Sequence, residues 1–382
     1  MYKAGRLAAV LERTSEGGTE FRYEKDYLAE RGAPIATTLP LGPDPVRSIA
    51  GGVPPFFEGL LPEGHRLTVL QRAVKTSIND ELSLLLAVGA DVPGDVQIIP
   101  RGQPLTDVPP LVEGDSPAEL EFARFVEEID THALPGVQRK ASASMISVPF
   151  SARYGRFILK LSQPEYPHLV ENEAVHLKAV RLMKIPVVEA NLVTDSIGDT
   201  GLLVRRFDRV YEGRSWRRLA FEDATQVLGL PPASKYQPDS ATVVNALAQI
   251  AEAPMVARRN LYLQFLFAWL TGNGDLHAKN VGVLEVPSGK WCIAPVFDIP
   301  CTLVYGDDSM ALPISGRTRK LRSREWAAFA AEIGLAERAA MSARAVALRA
   351  ATAVDYAALP FAGSPMHRME RELRWRREEL GH

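Results

Sequence analysis

Asp275, Asn280 and Asp298 fall within one stretch of the 382-residue chain, LTGNGDLHAKNVGVLEVPSGKWCIAPVFD, residues 270 to 298. An Asp, an Asn five residues later and a second Asp after an apolar strand are the polar groups of a phosphoryl-transfer site. One carboxylate accepts a hydroxyl proton, while the Asn and the other carboxylate hold Mg²⁺ on the phosphates of ATP. Taken singly, Asp275 and Asn280 read as turn caps, His277 as a structural hydrogen-bonder and Lys279 as a solvent charge. Their concentration between an apolar helix and the apolar segment from Val281 to Val286 favours a joint role. A Zn²⁺ site at His277 is disfavoured, because no second His or Cys lies at ligand spacing.

Such a site needs a cation for the phosphates. Lys160 interrupts the apolar strand RFILKL, residues 156 to 161. Strand alternation permits a plain edge strand whose Lys faces water. The helix that follows, VENEAVHLKAVRLMKIP, decides otherwise: Val170, Ala174, Leu177 and Val180 form one stripe, and Glu173 lies on it. A carboxylate on an apolar face is costly unless paired, and Lys160 is the available partner. Glu171 lies off the stripe and is expected to be solvated. Upstream, Pro135, Gly136, Val137, Gln138, Arg139 and Lys140 stand between helical and extended sequence. Gly136 would let a backbone approach phosphate closely there, although a single Gly at such a place also serves as an ordinary turn.

These residues require a scaffold. Residues 1 to 105 read as a small α/β module, with a strand–turn–strand from Leu7 to Tyr23, helices after Pro62 and over 79 to 88, and a strand at 96 to 99. His65 beside Glu63 reads as a solvated loop pair, and nothing in this module has catalytic character. A Pro- and Gly-rich linker over 101 to 117 precedes a capped helix whose Phe122, Phe125, Val126 and Ile129 share one face. Strands are expected at 187 to 193 and 202 to 207. Arg205, Arg206 and Arg209 suggest a basic nucleic-acid patch, but Asp208 in their midst and the net charge of -2 argue against it. After Leu219 the chain is helical. PPASKYQPDS places Lys235 and Tyr236 in a loop near substrate. The helix over 255 to 271, apolar nearly all round, should be the buried centre of that lobe, with Gly272 and Gly274 delivering Asp275 into a loop at its end. The segment 366 to 378 (MHRMERELRWRRE) is an amphipathic basic helix, read as a solvated terminal element, with DNA or partner contact as the alternative.

Composition supplies bounds. The chain is 46% hydrophobic and 24% charged, as in ordinary globular proteins. Its two cysteines, Cys292 and Cys301, offer no disulfide framework and suit a reducing, cytoplasmic setting as buried small hydrophobes. No segment is apolar for long enough to span a bilayer, and no membrane role is expected.

The set GxQxK (Gly136, Gln138, Lys140), FILKL, NE on the next helix, RRFDR, ED…GLP…KY, NGDLHAKN and FDI, together with FFEGLLPEG near the N-terminus, resembles the HipA family of Ser/Thr protein kinase toxins. The likeness runs over nearly the whole chain. It implies an α+β, two-lobed, protein-kinase-like fold, divided as an N-terminal subdomain (1–105), a kinase N-lobe (106–230) and a helical C-lobe (231–382). It further implies that Asp275 is the catalytic base, that Asn280 and Asp298 ligate Mg²⁺, and that Lys160, paired with Glu173, contacts the ATP phosphates. Residues Pro135 to Lys140 would cover the phosphates, Arg205, Arg206 and Phe207 would form the hinge, and His277, Lys279 and Phe297 would lie beside the nucleotide. The implied partners are a protein substrate, in known cases an aminoacyl-tRNA synthetase, and a small helix-turn-helix antitoxin (HipB-like) through which operator DNA is reached. One departure stands out. Where the family often carries an autophosphorylated Ser, this chain has Ala133, so self-inactivation at that position is excluded, with Ser142 and Ser144 nearby. A small-molecule kinase of the aminoglycoside or choline type shares the GD-x-H-x-x-N pattern, and a non-catalytic co-repressor is the alternative from another class.

Overall fold

The computed structural model describes residues 1–105, 112–113, 120–122, 146–152, 155–213, 215–361 and 363–381. The expected helix after Ser116 lies outside them, apart from its residues 120–122.

The N-terminal module holds two small antiparallel sheets. Ala9–Arg13 pairs with Thr19–Tyr23, with Leu11 opposite Phe21, and Val46–Ser48 pairs on the other edge. The strand–turn–strand expectation holds, but Leu7 belongs to a separate strand, Arg6–Leu7, and faces water. Helices His65–Val74 and Glu81–Val88 follow. The second begins later than expected because Asp80 is its N-cap, accepting from the Ser83 N–H. Phe21, Tyr23, Phe56, Phe57, Leu84 and Leu85 form this module's own core.

The middle of the chain folds as a five-stranded sheet, in the order Ala190–Thr194, Thr200–Arg205, Gly155–Leu161, Ile146–Ala152 and Val112–Glu113. All neighbours are antiparallel except the last pair. The strand expected at 187 starts only at Ala190. Before it, the Val188 N–H donates to the Val296 carbonyl and the Val296 N–H to the Pro186 carbonyl, so this segment braces the chain leading to Asp298. Helix Leu169–Val180 packs on the sheet through Val170, Leu177 and Val180.

The remainder is helical around Pro254–Thr271, which is buried continuously from Leu261 to Thr271, Gln264 included. Its Gly272 cap has φ of 76°, and a Cβ there would stand 2.8 Å from that of Leu303. A three-stranded sheet, Phe221–Asp223 with Gly282–Glu285 and Trp291–Ile293, lies against it. Among the described residues no helix is long and apolar enough to cross a membrane.

Two readings need correction here. The terminal helix Ser364–Gly381 is not a solvated element. Met366, Met369 and Leu373 pack on Cys301, Leu303 and Val304. Arg376 is 1% exposed, donating to the carbonyls of Trp269 and Asp308 with its guanidinium 3.7 Å from the centre of the Trp269 ring. A narrow apolar stripe within a heavily charged sequence suffices to dock it. Cys292 is only half-buried, whereas Cys301 is fully enclosed.

The run Arg205–Arg209 is no basic patch. Arg206 and Arg209 pair with Asp208 at 2.9 and 2.7 Å, and both reach Asp91 of the N-terminal module at 2.9 Å. Burial by itself would raise the Asp208 carboxyl, but the two guanidinium groups hold it far below the usual carboxylate range. Removing one member of a buried ionic network strands its partners, so Asp208→Ala is expected to lower unfolding free energy by about 3 kcal/mol in urea denaturation.

Candidate active site

Lys160 stands in the middle sheet opposite Leu202 and Ser147. Its Nζ lies 2.8 and 2.7 Å from the two carboxylate oxygens of Glu173 and 3.1 Å from Oδ1 of Asp298. Glu173 is wholly buried, and also accepts from the Asp298 N–H at 3.1 Å. Burial opposes the Lys160 charge, yet Asp298 and Glu173 outweigh it and raise the ammonium above its ordinary range. A strand, the helix that follows it and a segment 138 residues beyond the lysine thus meet at one cation. Asp298 itself has φ of 55°, a left-handed conformation unusual outside glycine, held by this contact and the neighbouring pairing of Val296.

The loop after the central helix is equally constrained. Gly274 has no room for a side chain: a Cβ would lie 2.6 Å from the Ser309 carbonyl, and its N–H donates to Thr302 Oγ1 at 2.7 Å. Asp275 is 1% exposed. Its backbone N–H donates to Asn273 Oδ1, its carbonyl accepts from Asn280 Nδ2 at 3.0 Å, and its Oδ1 accepts from the Tyr236 hydroxyl at 2.8 Å. His277 Nε2 lies 3.9 Å from Asp275 Oδ2, with its ring edge-on to Tyr236. Burial first, and then the charge of Asp275, push the Tyr236 phenol far above its usual range, so it stays a donor. The charge of Asp298 also acts on this phenol in the same direction.

The other expected residues divide. Phe207 and Phe297 lie tilted to one another at 5.6 Å with Phe221 edge-on to both, an apolar wall next to Asp298. Arg205 pairs at the surface with Glu189, and Arg206 turns toward Asp91. The N–H groups of both donate to the carbonyls of Glu189 and Arg156, so neither is available to an adenine. Lys279 is held by the Gly59 carbonyl, Glu63 and Asp223 at 2.9, 3.2 and 3.4 Å. Residues Pro135 to Lys140, and Ala133, Ser142 and Ser144, lie outside the described residues.

Sequence reasoning missed Glu63 and Asp223. Glu63 is no solvated loop residue: it pairs with both Lys235 and Lys279, and although burial pushes its carboxyl up, the two lysines bring it below its ordinary value. Lys235 and Tyr236 were expected in a loop near substrate, but not the hydrogen bond from Tyr236 to Asp275. Glu171 is half-buried rather than free, 3.6 Å from His168.

A cation bound here would meet oxygen donors. Asn280 spends its amide nitrogen on the Asp275 carbonyl, which would leave Oδ1 to face a cation, and Asp298 would contribute a carboxylate. That pair fits Mg²⁺, which takes one or two protein oxygens and completes its shell from phosphate and water. No cluster of three or more His, Cys, Asp or Glu side chains arranged for a metal occurs among the described residues.

Comparison with known proteins sets this site in a family. The HipA-like C-terminal domain matches residues 132–354, and the HipA N-terminal domain matches residues 1–99. The chain belongs to the HipA family. A Sinorhizobium fredii protein provisionally named as the kinase Y4dM is 29% identical over 368 residues, covering 87% of this chain and 85% of its own. The serine/threonine-protein kinase toxin HipA of Shewanella oneidensis is 26% identical over 322 residues, covering 77% and 72%. The solved Shewanella oneidensis HipA, in complex with HipB and operator DNA, superposes with a TM-score of 0.80 at 20% identity, over 99% of this chain and 96% of that one. The expected two-lobed kinase-like fold is therefore the fold of this HipA-family chain, and its relatives make it a HipA-like kinase.

Proposed function

We propose that this HipA-family protein is an ATP- and Mg²⁺-dependent kinase toxin that phosphorylates a Ser or Thr of another protein. The convergence of Glu173 and Asp298 on Lys160 carries the reading, because a lysine fixed by a helix glutamate and a neighbouring metal-binding aspartate is the arrangement that grips ATP phosphates in kinases. Asp275, on a loop anchored to a buried helix, would take the acceptor's proton as its oxygen bonds to the γ-phosphorus and the bond to ADP breaks. Mg²⁺, held by Asn280 and Asp298, would supply charge neutralisation on the phosphates. Lys160 would orient them, and the Phe207–Phe297 wall would flank the base.

Family membership supports a protein as the substrate, with an aminoacyl-tRNA synthetase as the first to test, whose modification would arrest translation and growth. A small helix-turn-helix antitoxin of the HipB kind would neutralise the kinase and bring it to operator DNA. The Shewanella oneidensis structure, which holds HipA with HipB and DNA, supports that partner.

Incubating the purified protein with γ-labelled ATP, Mg²⁺ and cell lysate is expected to label one main protein band on Ser or Thr, with labelling lost on chelation by EDTA. A labelled metabolite with no labelled protein would move the activity to the small-molecule kinases.

A further inference from the structure

Lys279 and Lys235 flank the base, yet neither is aimed at open space. The Lys279 ammonium has three donors, and three oxygens surround it, those of Gly59, Glu63 and Asp223. Lys235 Nζ donates to the other Glu63 oxygen. Glu63 and Gly59 both come from the N-terminal module, just beyond helix Pro55–Glu58. The module also meets the segment around strand Phe221–Asp223 alongside, where the Phe56 carbonyl accepts from Gln226 and Thr37 donates twice to Glu222.

Each lysine is coupled to Asp275 through short covalent and hydrogen-bonded paths. Lys279 precedes Asn280, whose amide holds the Asp275 carbonyl. Lys235 precedes Tyr236, whose hydroxyl holds the Asp275 carboxylate, and the Lys235 carbonyl accepts from the Ala278 N–H of the catalytic loop at 3.1 Å. One carboxylate therefore grips both segments that fix the base.

We propose that Glu63 is a positioning residue: from the N-terminal module it clasps Lys279 and Lys235 and so sets the geometry in which Asp275 meets the acceptor hydroxyl. The proposal rests on the kinase reading for its catalytic consequence, not for the clasp itself. It makes Lys279 a tether of the loop rather than a ligand of the nucleotide. It also gives the N-terminal module a direct part in turnover, since small displacements of a catalytic group cost large factors in rate.

Glu63→Gln in the full chain keeps the side chain's shape and removes its charge. Amide exchange over 275–281 is expected to quicken about fivefold, with other peptides unchanged. The value of kcat is expected to fall about tenfold, with KM for MgATP held within about twofold. Faster exchange throughout the chain, rather than in this loop, would make Glu63 merely structural and overturn the proposal. So would unchanged loop exchange, an unchanged kcat in an active enzyme, or a loss confined to KM for ATP. If the wild-type protein transfers no phosphate, the kinase reading has failed, and the exchange comparison decides the clasp alone.

Discussion

Asp275→Asn is expected to reduce phosphoryl transfer by roughly 10²-fold or more, the range over which a positioned general base acts. The substitution removes a carboxylate, the proton acceptor of the proposed mechanism, and little else. An amide oxygen at the same place still accepts from the Tyr236 hydroxyl, and the backbone bonds to Asn273 and Asn280 do not involve the side chain. The fold and KM for ATP should therefore hold while kcat drops, which initial rates across ATP concentrations will separate. Expression of the wild-type protein is expected to arrest growth, and Asp275→Asn to relieve it. Full activity in the variant would remove Asp275 from the role of base; equal toxicity would separate toxicity from phosphotransfer.

How much of this site was legible in the chain depends on how far each contact reaches. The Lys160–Glu173 pair was readable because a carboxylate on an apolar helical stripe demands a cation, and the strand just before offers one. Asp275 was readable because an apolar helix ends there in closely spaced glycines. Glu63 was not, since its partner Lys235 lies 172 residues away and no local pattern links them. For Arg206 and Arg209 the neighbouring Asp208 was enough to argue against a basic patch, but half of their counter-charge, Asp91, belongs to another module and could not be foreseen. The terminal helix misled differently, because its buried stripe includes an arginine, and Arg376 satisfies its donors on carbonyls at its docking face. Period and composition identify faces; they do not identify which distant surface completes a charge.

Lys160→Met is expected to abolish detectable transfer and also to destabilise the fold, and the two effects can be separated. The substitution leaves Glu173 buried without its cation and with Asp298 still near. Breaking a buried pair in this way costs about 3–5 kcal/mol. Burial already raises the Glu173 carboxyl, with Lys160 as the main opposing influence, so the variant should raise it further. A carboxyl with a raised folded pKa binds its proton more tightly in the native state, so its presence makes stability fall as pH rises. The variant's deficit in urea denaturation should accordingly be smaller at acidic pH than at pH 8. A deficit that grew on acidification would contradict the stranded carboxylate. The double variant Lys160→Met/Glu173→Leu replaces the ion pair by apolar groups and should regain most of the lost stability. It should remain inactive, because the phosphates still lack their cation. Recovery of activity along with stability would mean that Lys160 serves only to hold the lobe together, and the grip on ATP would have to come from elsewhere in the cleft.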